Sequence, residues 1–352
     1  MKNNSFLSEK LLLNEFDNHE LISFIYDGKT CLKGFIAIHR LNKNNPSFGA
    51  TRLWRYSSPK EALLDAIRLS KIMSYKAALS GLPCGGAKAV LIDDGNISNK
   101  KIFLKEYAHK VNLMKGIFVT GSDVGLSKDD VITMRKTCPY FVGTKTYPER
   151  YTALGLYYSI IICLKHVFGN SDIRRRSFAI QGLGKVGLEL LKLISSKGGN
   201  IFVSEIDKEK INLTRKLFPK IKVVKPDEID RIKVDVYSHC ALSHAINYKN
   251  LSNLRSPIIA GGANNQLENK EVGELLHKIG ILYAPDYIVN SGGLISVYDE
   301  YLSGNSRINR VIKKIKRIPS TLNRILLKGK RERKPPFAIA DEMAEKIFNN
   351  FS

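Results

Sequence analysis

Two lysines and one carboxylate are the residues of this chain best placed to do chemistry. Lys88 closes the run Gly85-Gly86-Ala87-Lys88, and Lys76 lies upstream in Met73-Ser74-Tyr75-Lys76. Glycines leave the backbone bare, so the run reads as a small-residue turn where a small molecule can reach main-chain N–H groups. A lysine beside such backbone can bind a carboxylate, or act as a base when burial or a neighbouring cation lowers its proton affinity. Two lysines converging on one pocket would divide those tasks, one holding a substrate anion and the other pushed toward neutrality. Asp123, in Thr120-Gly121-Ser122-Asp123-Val124-Gly125, ends an apolar run. It would stand at the C-terminal edge of a strand, where α/β domains put their chemistry. Solvated lysines on a surface turn, and an aspartate that merely shapes a loop, are the plain alternatives.

A second constellation lies further along. The apolar run Phe178-Ala179-Ile180-Gln181 leads into Gly182-Leu183-Gly184-Lys185-Val186-Gly187 and then a helical apolar stretch. Gly199 to Asp207 reads as a second strand ending in acid, with Glu205 roughly twenty residues beyond the glycines, as a dinucleotide fingerprint requires. Gly182 makes the tight turn, Gly184 lets a pyrophosphate approach the backbone, and Gly187 allows close helix–strand packing. The helix N-terminus faces the phosphates. Glu205 would accept hydrogen bonds from the adenosine ribose hydroxyls and favours NAD.

The elements that must position these groups alternate strand and helix. A strand is expected from Cys31 to His39, and a turn into another strand at Pro46 to Arg52. Ser58-Pro59-Lys60-Glu61 starts a helix that ends near Met73. Ala89 begins a strand after the Lys88 turn, Lys101 to Met114 is an amphipathic helix, and Tyr151 to Phe168 is a long apolar one. Strand-and-loop pairs recur at Lys233, Pro257 and Ile281. The rhythm predicts an α/β protein of two domains. The first is an N-terminal α/β domain at 1–146, with a C-terminal helix at about 331–352 packing back on it. The second is a Rossmann-type NAD-binding domain at 147–330 with a doubly wound, mostly parallel sheet.

Composition bounds the classes. With 352 residues and 43% hydrophobic content, the chain can bury two cores. Apolar runs are short enough that no membrane span is expected, and residues 1–10 lack the apolar core of a signal peptide. Five scattered cysteines show no metal-ligand spacing, so no metal is expected and the reading is reduced and cytoplasmic. The formal net charge is +23. The densest basic stretch, Arg307 to Lys334, carries Val311, Ile312, Ile315 and Ile318 at helical spacing. It reads as one basic amphipathic helix packed on the body rather than a nucleic-acid arm.

Together these segments resemble the glutamate/leucine/phenylalanine/valine dehydrogenase family, most closely its leucine dehydrogenase branch. The resemblance rests on Gly49-Ala50-Thr51-Arg52, Met-Ser-Tyr-Lys76, Gly-Gly-Ala-Lys88, Ser-Asp123-Val-Gly and Gln-Gly-Leu-Gly-Lys-Val. It continues through His239-Cys240-Ala241-Leu242, Ala-Gly-Gly-Ala-Asn264-Asn-Gln-Leu and Ala-Pro-Asp-Tyr-Ile-Val-Asn290-Ser-Gly-Gly. It implies reversible oxidative deamination of an L-amino acid by NAD, giving a 2-oxo acid, ammonia and NADH. By position, Lys76 resembles the lysine that binds the substrate carboxylate, Lys88 the one that activates water, and Asp123 the carboxylate that shuttles protons. Gly49 and Asn290 fall in substrate-binding motifs. Leu183, Lys185, Val186, Cys240, Ala241 and Asn264 fall in cofactor-binding ones. Thr152 aligns with a threonine near the nicotinamide amide. The resemblance also implies a homo-oligomer, in some members an octamer, with no nucleic-acid or membrane partner.

Two departures bear on specificity. Ser122 replaces the usual glutamate before the aspartate, and Tyr147 to Thr152 replaces a Gly/Pro/Ser-rich stretch. Phe48, Gly121, Leu294 and Val297 fall where the family sets substrate size: Phe48 would shrink the pocket and Gly121 would open it. A branched-chain substrate such as leucine is the first expectation. An aromatic amino acid is the second, because Thr120-Gly121 matches phenylalanine-type members. A non-catalytic nucleotide- or nucleic-acid-binding descendant is a third, and the intact Lys76, Lys88 and Asp123 argue against it.

Overall fold

A computed structural model describes residues 15–241 and 245–348. The stretch read above for a leader, and Leu242, lie outside the described residues. The chain divides into two compact units, one of 1–146, 297–306 and 344–352, the other of 147–296 and 307–343.

The first unit is built around a central strand, β5 (Gly85–Ile92), buried along its whole length. It pairs antiparallel with β2 (Leu32–Ile38), which pairs antiparallel with β1 (Leu21–Asp27). It also pairs parallel with β3 (Ser47–Phe48) and β4 (Thr51–Trp54), and β3 pairs with β6 (Phe118–Val119). Strand side chains alternate between faces. Ala87, Ala89 and Leu91 enter a core with Phe103, Leu104 and Tyr107 of helix α2 (Lys100–Leu113), while Val90 and Ile92 pack on Ala62 and Ala66 of helix α1 (Pro59–Leu79). Lys88 and Gly86 share the α1 face by the same alternation.

Here the structure corrects two expectations. Gly85 and Gly86 are strand residues, not a turn. A Cβ on Gly85 would lie 1.7 Å from the Arg40 carbonyl oxygen, and one on Gly86 would lie 1.9 Å from the Ser74 backbone nitrogen. The space these glycines free is filled by the chain's own backbone, not left for a ligand. Helix α1 also runs past Met73 to Leu79, because nothing in Ser74-Tyr-Lys-Ala-Ala-Leu breaks it before Gly81, at φ +67°. Lys76 therefore sits in its last turn, where a cation suits the helix dipole. Ser58 caps the helix by accepting the Glu61 N–H, and Glu61 reaches back to Ser57 rather than Ser58.

Beside β2, His39 is fully buried, with its ring 4.8 Å from His19, 6.2 Å from Tyr75 and 6.1 Å from Phe348. Burial, aided by the charge of Arg40, pulls its pKa from an ordinary 6.5 to about 3, against the pull of Asp17. The folded value lies below the unfolded one, so the neutral ring's contribution is intact above 6.5 and is lost as pH falls toward 3. Between pH 7 and pH 5 this one residue should cost the fold about 2 kcal/mol. Urea unfolding at the two pH values should show that loss in the wild type and a flatter dependence in His39→Phe. Equal slopes would remove His39 as the cause.

The second unit carries an all-parallel sheet in the order β12, β11, β10, β7, β8, β9. The strands are β7 (Ser177–Gln181), β8 (Asn200–Ser204), β9 (Lys222–Val223), β10 (Val236–His239), β11 (Ile258–Ile259) and β12 (Leu282–Tyr283). The order reverses at β7, giving the doubly wound arrangement expected, with its switch point beside the first strand. The long apolar helix runs from Pro148 to Phe168 and is apolar enough by length and composition to cross a membrane. Its Ala153, Leu156, Ile160, Cys163 and Leu164 are buried in this unit, the pattern of a core helix. The basic stretch forms two helices, Ile308–Ile315 and Ile318–Glu332, instead of one. Pro319 in the first turn of the second fixes the restart. Val311, Ile315, Ile318, Leu322 and Ile325 are buried, and Ile312 is only half-buried.

Candidate active site

Three side chains of the first unit meet at one carboxylate. Lys88 Nζ donates to Asp123 Oδ2, and Arg52 Nε donates to the same oxygen at 3.1 Å. The Lys88 side chain is 5% exposed and that of Asp123 15%, so the pair is largely removed from water. Each arrives by a different device. Lys88 projects from β5 toward α1. Arg52 projects from β4 on the same face, since its register partner is Val90. The Asp123 N–H bonds the Thr51 carbonyl at 3.0 Å, tying its loop to β4. Gly125, at φ +84°, lets that loop pass where a Cβ would come within 1.9 Å of the Leu53 carbonyl oxygen.

The electrostatics follow from burial and charge. Burial pulls the Lys88 ammonium below the ordinary lysine range, Asp123 opposes this, and Arg52 adds to it. Burial alone would raise the Asp123 carboxyl, but Lys88 and Arg52 outweigh it and hold it well below the usual carboxylate range. Asp123 is therefore ionised, and Lys88 gives up its proton more readily than a lysine in water. Arg52 is held charged: burial works against it, and Asp123 and Asp65 prevail.

The motif reading passed over Arg52 and its second partner. Arg52 Nη1 donates to Asp65 Oδ2 at 2.8 Å, and the Tyr56 hydroxyl donates to that oxygen at 2.5 Å. A signal was present, because Asp65 lies on α1 beside the buried positions Ala62, Ala66 and Leu69, where an acid needs a partner.

The other residues expected near substrate are placed as follows. Lys76 is buried in α1, two residues beyond Ser74, whose Oγ accepts the Gly86 N–H at 2.9 Å. Phe48 is buried with its ring 5.1 Å from Tyr298 and 5.2 Å from Tyr301. Gly49 packs against the Ala87 carbonyl. A Cβ on Gly121 would stand 3.0 Å from the Val142 carbonyl oxygen, so that glycine leaves less room than its missing side chain suggests. Val297 lies near Gly143 in the same unit. In the second unit Leu294 is buried, and the buried Asn290 donates from Nδ2 to Asn264 Oδ1 at 3.0 Å and to the Ala263 carbonyl at 3.2 Å.

The glycine constellation of the second unit forms a cradle. Gly182 takes φ +93°, and a Cβ on Gly187 would stand 2.0 Å from the Gly182 carbonyl oxygen. A Cβ on Gly184 would meet nothing within 4 Å. The helix Lys185–Ser195 begins there with no side-chain cap, leaving the first-turn N–H groups of Lys185, Val186 and Gly187 facing the opening. An uncapped N-terminus with open space beside it fits a pyrophosphate. Leu183 gives its N–H to Glu205 Oε2 at 2.8 Å, and Glu205 Oε1 accepts from Ile206 at 2.8 Å and Asp207 at 3.3 Å. The acid thus holds the turn together at the end of β8. Cys240 and Ala241 close the cradle: the Cys240 N–H bonds the Gln181 carbonyl at 2.8 Å, and Ala241 packs on Gly182. Thr152 lies against Gly293, where a Cβ would meet its Oγ1 at 2.6 Å.

Comparison with known proteins is consistent with this geometry. The family profile described as Glu/Leu/Phe/Val dehydrogenase, dimerisation domain, matches residues 24–140, and the Glutamate/Leucine/Phenylalanine/Valine dehydrogenase profile matches 202–334. Leucine dehydrogenase of Bacillus cereus is 34% identical over 339 residues, 95% of this chain and 91% of that protein. L-tryptophan dehydrogenase of Nostoc punctiforme is 36% identical over 337 residues, 94% of each. The crystal structure of the Nostoc punctiforme enzyme matches with a TM-score of 0.82 at 34% identity, covering 97% of this chain and 99% of that one. Phenylalanine dehydrogenase of Lysinibacillus sphaericus is 34% identical over 335 residues, 92% of this chain and 86% of that protein.

Proposed function

The chain belongs to the Glu/Leu/Phe/Val dehydrogenase family, and on that premise we propose that it oxidatively deaminates a neutral apolar L-amino acid, branched-chain before aromatic, using NAD. The observation that carries the reading is the meeting of Lys88 and Arg52 on one oxygen of the half-buried Asp123. A dinucleotide held at Gly182, Gly184 and Gly187 would supply the acceptor for a hydride from the substrate Cα. Lys76 holds the substrate carboxylate. Neutral Lys88 takes a proton from water, whose oxygen then adds to the oxidised, iminium-like carbon. Asp123 receives and returns protons at the amine as ammonia leaves. The balance is one amino acid, NAD and water giving a 2-oxo acid, ammonium and NADH with one proton released. We assign substrate binding and self-association to 1–146 and cofactor binding to 147–330, in a cytoplasmic homo-oligomer.

The cofactor preference rests on Glu205, whose fixed negative charge repels a 2′-phosphate. Lys208 and Lys210 are the nearby cations that work against this preference, and Lys210 pairs with Asp207 at 3.5 Å. The substrate preference rests on Phe48, Gly121, Leu294 and Val297, none of which bears a charge. A second carboxylate buried against the uncharged Phe48, Gly121 and Val297 of the first unit would cost several kcal/mol. The aromatic reading is favoured by the tryptophan and phenylalanine dehydrogenases among the relatives.

NADH formation across leucine, valine, isoleucine, phenylalanine, tryptophan and glutamate, with NAD and with NADP, tests all of this. Leucine with NAD should be fastest, and glutamate at least about a thousandfold slower. Efficient glutamate oxidation would show that a cation reaches the pocket, and equal kcat/KM for the two cofactors would refute the role given to Glu205.

A further inference from the structure

We propose that Arg52 and Asp65, with Tyr56, form a charge relay that positions Asp123 and keeps the catalytic pair compensated whether or not Lys88 carries its proton. The inference rests on Lys88 acting as the base of the proposed deamination. Asp123 Oδ2 accepts from both Lys88 and Arg52, and Asp65 Oδ2 accepts from both Arg52 and Tyr56. With Lys88 protonated, two cations face two anions and the cluster is neutral. When Lys88 is neutral, a lone Lys88–Asp123 pair would leave a buried carboxylate uncompensated, at large cost. Arg52 lowers that cost, because it cannot lose its proton and already spans the two acids through different nitrogens, so Asp123 keeps a cationic partner while one net negative charge is shared between Asp123 and Asp65. Tyr56 holds Asp65 from the far side. Its phenol is kept protonated, first by burial and then by the Asp65 charge, so it remains a donor.

The relay makes opposite demands of its two ends. The charges acting on Lys88 are Asp123, Arg52 and Asp65, with Arg52 lowering its proton affinity and both acids raising it. Helix α1, which covers this face, also carries Lys76, and the paired strand β2 carries Lys33, joined to Asp94, and leads into the neutral His39. Removing the Arg52 charge should therefore move the Lys88 titration to higher pH. Removing the Asp65 charge should move it to lower pH. A purely structural role for either residue would not produce shifts of opposite sign.

The test uses the full chain labelled with 13Cε-lysine, following the Lys88 resonance with pH in wild type, Arg52→Gln, Arg52→Lys and Asp65→Asn. The pH dependence of kcat/KM is measured alongside. We expect the Lys88 titration and the acid limb of the rate profile to rise together in Arg52→Gln and to fall together in Asp65→Asn. Arg52→Lys keeps the charge but cannot span both acids, so its titration should stay near wild type while kcat drops about tenfold or more. Asp65→Asn, nearly isosteric, carries the test alone should Arg52→Gln fail to fold. Unchanged titrations, or shifts of the same sign, overturn the relay. The NMR arm needs no turnover, so a wild type inactive on every amino acid counts against the reaction, while opposite shifts would still support the relay.

Discussion

Replacing Lys88 by alanine should lower kcat about 10³- to 10⁴-fold while NADH binds as in the wild type. The magnitude is that of losing a positioned general base. The fold should survive the change, because Asp123 keeps Arg52 as a partner at 3.1 Å and is not left as an unpaired buried charge. The cradle for the cofactor is built wholly from second-unit residues, so a fluorescence titration with NADH should not register the loss. Lys88→Met, which fills the side chain's volume without its nitrogen, should behave the same way and separates chemistry from packing. Its acid limb should also vanish, since the group that loses activity on protonation is gone. Turnover near wild type in either variant would end the assignment of Lys88 as the base.

Gly86→Ala should destabilise the first unit by more than about 3 kcal/mol, a single methyl acting as a wedge. The atoms it would strike are backbone: Ser74 N at 1.9 Å, with Met73 C and Ser74 Cα at 2.5 Å. No rotamer change relieves such contacts, so α1 must lift from β5. That movement would carry Lys76 and Asp65 away from the face that bears Lys88, and substrate KM should rise with the loss of stability. Gly184→Ala is the control. Its added methyl meets nothing within 4 Å and its φ of −70° suits any residue. It should leave the melting temperature unchanged and weaken NADH binding by filling the cradle. A Gly86→Ala protein that melts within about 2 °C of wild type would show that the helix and strand are less tightly seated than their geometry says.

The two glycine runs show what a sequence does and does not display. Gly182, Gly184 and Gly187 could be read correctly because a strand, a helix and a terminal acid surround them at fixed spacing, and each glycine has a separate local task. Gly85 and Gly86 could not, since their neighbours are Arg40 and Ser74, brought there by tertiary packing. A turn and a close-packed strand look alike when the partner backbone is unknown. The same blindness hid Asp65. Its spacing on α1 was visible, but only the register of β4 against β5 puts Arg52 within reach of it. The helix that bears Lys76 reads from sequence as ending near Met73, whereas Ser74, Tyr75 and Lys76 continue it and are buried by neighbours that the local pattern does not contain. The basic stretch departs from one continuous helix for a simpler reason: Pro319, in the first turn of Ile318–Glu332, begins a new one.

The chain passes between the two units four times, after residues 146, 296, 306 and 343. The ribosome delivers these pieces in order. His39 emerges long before Phe348, and Phe48 long before Tyr298 and Tyr301, the rings that cover them. At roughly 5–20 residues per second, the gap is on the order of tens of seconds. During that interval the nascent first unit holds β5 and α1 but lacks the aromatic caps of its core, and its apolar surface is available to other chains. The second unit's βαβ segment, contiguous from 177 to 204, needs no such wait. Maturation of this enzyme is therefore expected to depend on chaperones that shelter the amino-terminal portion until synthesis has passed residue 348, and truncation shortly before that point should yield aggregates rather than a folded fragment.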